Sequence, residues 1–112
     1  MLLPDCEKAY IPPQKLTDYL LSTSHTIGKG KAKFFREFGF DESNVEFLEF
    51  GLIAIAQTEE VLTTTVSPFG TKYIIDGILM TPMEISVNVR TVWIIESGEI
   101  DPRFVTAHPR PK

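Results

Sequence analysis

Apolar positions in the first half of the chain recur every three to four residues, and in the second half every two. Ala9-Tyr10-Ile11 is a short apolar segment closed by Pro12-Pro13. Pro13 suits a first helical position, where its missing N–H has no intrahelical partner to lose. Leu16, Tyr19 and Leu20 follow at helical spacing and predict a helix of about two turns. The polar run 22–26 ends it, and Gly28 and Gly30 bracket a predicted turn. A second short helix is predicted over 31–38, with Phe34, Phe35 and Phe38 as its apolar stripe and Gly39 as its C-terminal cap. Ser43 and Glu46 match a capping box at the head of a third, longer helix. There Val45, Leu48, Leu52, Ile55 and Ala56 keep the helical pattern, and Phe47, Phe50 and Ile53 make the helix apolar around most of its circumference. Such a helix is expected at the centre, packed on a sheet.

After Gln57 the chain turns rich in Thr and β-branched residues. Strands are predicted over 61–66, 72–80, 84–96 and 104–108, separated by turns at 67–70, 81–83 and 97–102. Loops this short join antiparallel neighbours, because parallel strands need longer crossovers. The predicted fold is therefore α+β: two short helices and one longer helix, then a four-stranded antiparallel β-meander, all in one domain of residues 1–112 with a basic, flexible tail over 109–112. In the third strand Val87, Val89, Thr91 and Trp93 share one face, and Asn88, Arg90, Val92 and Ile94 the other. Both faces carry apolar residues, so alternation leaves open which one meets the helices. A regular last hairpin centred on Gly98-Glu99 would pair Thr91 with Thr106 and Val89 with His108, opposite Arg90. A slip or a bulge would reverse that relation.

Composition narrows the class. With 112 residues, 43% of them hydrophobic, the chain has enough apolar side chains for a packed core without a disulfide or metal staple. Its single cysteine, Cys6, excludes an internal disulfide and suits a reducing compartment. Met1-Leu2-Leu3 runs straight into Pro4-Asp5 without the pattern of a secretory leader, and the apolar stretch 50–56 is far shorter than the ~20 residues of a membrane span. A cytoplasmic location and no membrane partner are expected. The net charge of −4 argues against a general nucleic-acid coat. Charge is uneven, however. Lys29, Lys31, Lys33 and Arg36 cluster, Glu42, Glu46, Glu49, Glu59 and Glu60 follow, and the tail from His108 to Lys112 is basic again.

The run Lys15-Leu16-Thr17-Asp18-Tyr19-Leu20-Leu21, with His25, Gly28, Lys31-Ala32 and Phe34-Phe35, carries a family resemblance. So do Gly70-x-Lys72-Tyr73, the run from Val89 through Arg90 and Trp93 to Ile95, and Pro102-Arg103-x-Val105-Thr106-Ala107-x-Pro109. In this order they resemble the bacterial domain of unknown function numbered 6883, over about residues 5–109. That family is similar in layout to domains at the ends of bacterial polymorphic toxins and beside phage head-morphogenesis proteins. Helices followed by a four-stranded meander also resemble the barnase, EndoU, colicin and RelE-like ribonucleases, which implies, by fold analogy, a toxin-type ribonuclease. A chain of this kind fits a toxin–antitoxin or housekeeping setting.

A metal-independent ribonuclease needs a base for the 2′-OH, an acid for the leaving oxygen and a cation for the phosphate. The two histidines, His25 and His108, suit proton transfer near neutral pH. His25 precedes the lysine-bearing turn; its alternative role is to bond carbonyls at a helix end. Lys31 is the best-placed cation, by its match to the family run. Arg90 interrupts a β-branched strand and must either face a site or pair with an acid on a neighbouring strand. Thr106 is a candidate to hold a phosphate oxygen, or else an ordinary cross-strand partner of Thr91. His108 stands where the family carries Tyr, which keeps an aromatic ring but weakens its claim to a catalytic role. Trp93 is either core or a base-stacking platform, and Lys72 and Tyr73 are secondary candidates.

Gly28-x-Gly30-Lys31 is too short for a P-loop, and no metal-ligand spacing is present, so no zinc, flavin or nucleotide cofactor is expected. The expected partner is RNA or a cognate protein. Three readings follow: an RNA-cleaving or RNA-binding domain; an immunity- or adaptor-like module whose acidic third helix meets a basic partner; and a homodimer built on unpaired strand edges.

Overall fold

Three helices precede four strands in the computed structural model of the chain, which describes residues 1–22 and 29–111. Most of the polar run 22–26, the candidate His25 and the first glycine of the turn predicted between Gly28 and Gly30 therefore lie outside the described residues. Helix α1 (Pro13–Lys15) starts on its proline and runs into a π-helical turn, Leu16–Leu20. Helix α2 (Lys29–Glu37) begins earlier than the sequence suggests, taking in Gly30. It ends as predicted at Gly39, whose φ of 94° is open to glycine. The Gly39 amide donates to the Arg36 carbonyl and the Phe40 amide to that of Phe35, and the Phe35 and Phe40 rings close over this end at 6.2 Å.

Helix α3 (Val45–Thr58) departs from expectation twice. Its N-cap is Asn44, and no capping box forms. Asp41 takes both the amide and the hydroxyl of Ser43, and the Asn44 side chain bridges the Asp41 amide and the Gly39 carbonyl instead. Nor is α3 buried all round. Leu48, Leu52, Ile55 and Ala56 are buried, while Phe47 and Phe50 are 44% and 78% exposed. The helix packs on one side only.

Strands β1 (Thr63–Ser67), β2 (Gly70–Met80), β3 (Ser86–Glu96) and β4 (Arg103–Pro109) form one antiparallel sheet in the order β1-β2-β3-β4, the meander expected from the short loops. The face toward α3 carries Tyr73, Ile75, Leu79, Val89, Thr91, Trp93, Phe104 and Ala107, all buried. This settles what alternation left open. Gly77 belongs to that face, and a Cβ there would stand only 2.8 Å from the Ile55 side chain, so glycine lets α3 sit close on β2. Trp93 is fully buried; its indole N–H donates to Thr91 Oγ1 at 2.9 Å, and Thr91 donates to the Ile75 carbonyl at 2.7 Å. Trp93 is thus core, with Phe104 edge-on at 5.3 Å.

The β3–β4 register contains a bulge. Trp93 faces Phe104, but Val92 faces Thr106, leaving Val105 as the extra residue. Thr91 therefore lies opposite Ala107, and the regular pairing of Thr91 with Thr106 is corrected. Arg90 lies directly opposite His108. Beyond β4, the Tyr10 amide donates to the Pro102 carbonyl and the Phe104 amide to that of Tyr10, so the Ala9–Ile11 segment covers the start of this edge. Among the described residues no helix is long and apolar enough to cross a membrane.

Candidate functional site

Leucines 16, 20 and 21 anchor the π-turn in the core. The Leu21 amide reaches the Leu16 carbonyl at 2.9 Å, the wide ring of π geometry. Tyr19 stands on this turn, half-buried, and its hydroxyl lies 3.1 Å from Thr106 Oγ1 on β4. The Lys15 ammonium sits 4.7 Å from the centre of the Tyr19 ring, and that of Lys31, in the first turn of α2, sits at 5.5 Å. Burial pushes the Tyr19 phenol up. Hydrogen bonds from Thr106 and Lys31 and the charges of Lys31 and Lys15 outweigh it, so its pKa is lowered from 10.0. Two cations, a phenol and a hydroxyl thus converge where α1, α2 and β4 meet.

A second group lies on the sheet face turned away from α3. The bulge places Thr106, His108, Arg90 and Val92 there together, and residues two apart on β4 are separated by about 7 Å. Arg90 Nε and Nη2 donate to the two carboxylate oxygens of Asp76, on β2, at 2.8 and 3.0 Å. Arg110 adds a contact to the same carboxylate at 3.3 Å, and its amide donates to the Asn88 carbonyl. The Arg90 hydrogen bond, with the charges of Arg90, Arg110 and His108, holds the Asp76 carboxyl below its ordinary 3.8 against the opposing effect of burial. The same pairing raises the Arg90 pKa. Of the two roles open to Arg90, pairing with a neighbouring-strand acid is the one its contacts display. His108 Nδ1 lies 2.9 Å from the Pro109 carbonyl oxygen.

Of the sequence candidates, Lys31 and Thr106 thus meet around Tyr19, whereas Arg90 and His108 meet around Asp76, with Thr106 and His108 linking the groups along β4. Tyr73 is core, while Lys72 is exposed on β2. Arg36 donates to the Leu21 carbonyl and pairs with Glu42, so it ties α2 to the end of the π-turn. Sequence reasoning passed over Tyr19 as one member of an apolar stripe. Lys15, four residues earlier and hence on the same helical face, was the available signal. Asp76 was equally visible as an acid inside an apolar strand, the mirror of Arg90. Among the described residues no group of three or more His, Cys, Asp or Glu is placed to hold a metal ion.

A small helical layer on a four-stranded antiparallel meander makes this an α+β domain, with a lysine–tyrosine–threonine cluster at one edge of the sheet. The profile of the domain of unknown function DUF6883 matches residues 2–111, and the chain belongs to that family. No curated protein matches it significantly. Among solved structures, the fold is similar to a chain of the contact-dependent growth inhibition toxin–immunity protein complex from Klebsiella pneumoniae 342. The TM-score is 0.72 at 15% sequence identity, covering 96% of this chain and 97% of that one.

Proposed function

We propose that the chain is a toxin-type domain that cleaves RNA without a metal ion, acting in the cytoplasm through Lys31, Tyr19, Thr106, His108 and Arg90, together with His25. The observation that carries this reading is the Tyr19 hydroxyl, held against Thr106 with Lys15 and Lys31 beside its ring and its pKa lowered. The 2′-oxygen attacks the adjacent phosphorus and the P–O5′ bond breaks. The 2′-OH proton passes to a histidine, and a proton from Tyr19 goes to the departing O5′. Lys31 holds the phosphate charge, and Thr106 orients the phenol. Arg90, already paired with Asp76, adds positive potential beside His108. The products are a 2′,3′-cyclic phosphate and a 5′-hydroxyl. The likeness to a toxin–immunity complex supports a toxin-related setting.

The test is incubation of the purified protein with RNA in EDTA, beside the same RNA methylated at its 2′-oxygens. Cleavage of the first only, with cyclic phosphate ends and a loss of roughly 100-fold in Lys31→Met, is expected. Intact RNA, or cleavage indifferent to 2′-methylation, overturns the reading. A second reading, an immunity- or adaptor-like module with a cognate protein partner, is favoured by the acidic exposed side of α3 and by the protein–protein nature of the similar complex.

A further inference from the structure

The sheet is uncovered at the side remote from Tyr19. Strand β1 pairs with β2 only as far as Ile74, and β2 continues to Met80. Among the described residues, no strand pairs with this side of β2 over residues 75–80, so a row of backbone donors and acceptors is left there. Alongside runs a groove of about 640 Å³ between β2 and α3. Phe47, Phe50, Ala54, Ile78 and Met80 supply its apolar wall, and Phe50 and Ile78 are 78% and 65% exposed. Its charged lining is acidic only, from Glu46 and Glu59. An apolar trough with acid at its rim, beside an open strand edge, combines three separate demands on whatever covers it.

We infer that this groove and the β2 edge over residues 75–80 dock an extended segment of a partner protein whose alternate residues are apolar and which carries Lys or Arg at its ends. The open edge asks for an extended backbone. The pleat sends every second side chain of an added strand to the same face, so alternate apolar residues enter the groove. Glu46 and Glu59 stand at the two ends of α3 and line the same groove, so Lys or Arg at the ends of the segment meets them. A second copy of this chain fits less well, since self-pairing about a two-fold axis along this edge would bring two sets of the same glutamates together. The inference is independent of the RNA reading, because the groove shares no residue with the Tyr19 cluster.

A short synthetic peptide of alternating Val and Thr with Lys at both ends is the probe, with the same peptide carrying Glu at both ends beside it, both titrated into the isotope-labelled full chain. The Lys-ended peptide is expected to shift the amide signals of residues 75–80 and of α3 and to slow hydrogen exchange along that edge. Phe50→Ser, at a largely exposed position, is expected to weaken it by at least ~10-fold, and Glu46→Gln with Glu59→Gln by several-fold. Equal binding of the Glu-ended peptide, absence of binding, or shifts centred elsewhere would overturn the inference. So would light scattering that shows a dimer dispersed by Phe50→Ser, which would assign the face to a second copy.

Discussion

The two sides of one sheet are finished in opposite ways. At β4 the chain uses itself: Tyr10 occupies backbone groups at the strand's start, and Tyr19 reaches Thr106 further along. At β2 the chain stops short, because β1 has 5 residues against the 11 of β2. The reason lies in the connections. A short link from α3 brings the chain onto the sheet halfway along β2, and the bond from the Val61 amide to the Met1 carbonyl holds that link toward the N-terminus. The segment preceding β4 in space is instead the long N-terminal arm, which has the reach to lie along its edge. Covered backbone lets charged side chains gather at one side, whereas uncovered backbone beside exposed Phe50 and Ile78 suits recognition of another chain.

The largest expected effect removes the common support. Trp93→Ala deletes a fully buried indole and its bond to Thr91, and should cost about 3–5 kcal/mol, read by urea denaturation. Both sides should fail together. Tyr19→Phe separates them: it keeps the ring and loses the hydroxyl, so RNA cleavage should fall about 100-fold while stability changes by no more than ~1.5 kcal/mol. Gly77→Ala is the converse. The added methyl meets Ile55 and should loosen α3 on β2 for about 1–3 kcal/mol, with the Tyr19 cluster and its activity retained.

Asp76→Asn tests the outer face through pH. Because Arg90 holds this carboxyl below its ordinary 3.8, its stabilisation is fully present above that value and is lost as pH falls through the lower folded-state value. Wild type should therefore unfold at higher urea than Asp76→Asn near neutral pH, and the gap should close in acid. Phe50→Ser comes last. Thermal stability should move by less than ~0.5 kcal/mol, since the side chain is 78% exposed, even as peptide docking is lost.

Much of this layout can be read from local patterns. Helical spacing of Leu48, Leu52 and Ile55, Gly39 after the Phe34 and Phe35 turn, and period-two strands between short loops each state their element in a few neighbouring residues. The capping box at Ser43 misleads because Asp41, two residues earlier, competes for the same side chain. The all-round apolarity of α3 misleads for another reason: apolar residues on a helix do not reveal whether a neighbouring layer exists to cover them. The candidate site depends on contacts between residues far apart in the chain. Lys31 and Thr106 were available as residue types, but Tyr19 is singled out only once the π-turn brings its hydroxyl to β4. The acid partner that Arg90 demanded is Asp76, found on the neighbouring strand as its charge required.

The extra residue in β4 also gives the strand one position at which its length can change without moving side chains between faces. Deleting Val105 alone would leave Phe104 opposite Trp93 and Thr106 opposite Val92, so regular pairing would return with both flanking segments on their present faces. Deleting Ala107 instead, with the bulge kept, would send His108 to the face toward α3 and away from Arg90. Among relatives that keep this chemistry, the spacing from Thr106 to His108 should therefore vary less than that from Phe104 to Thr106.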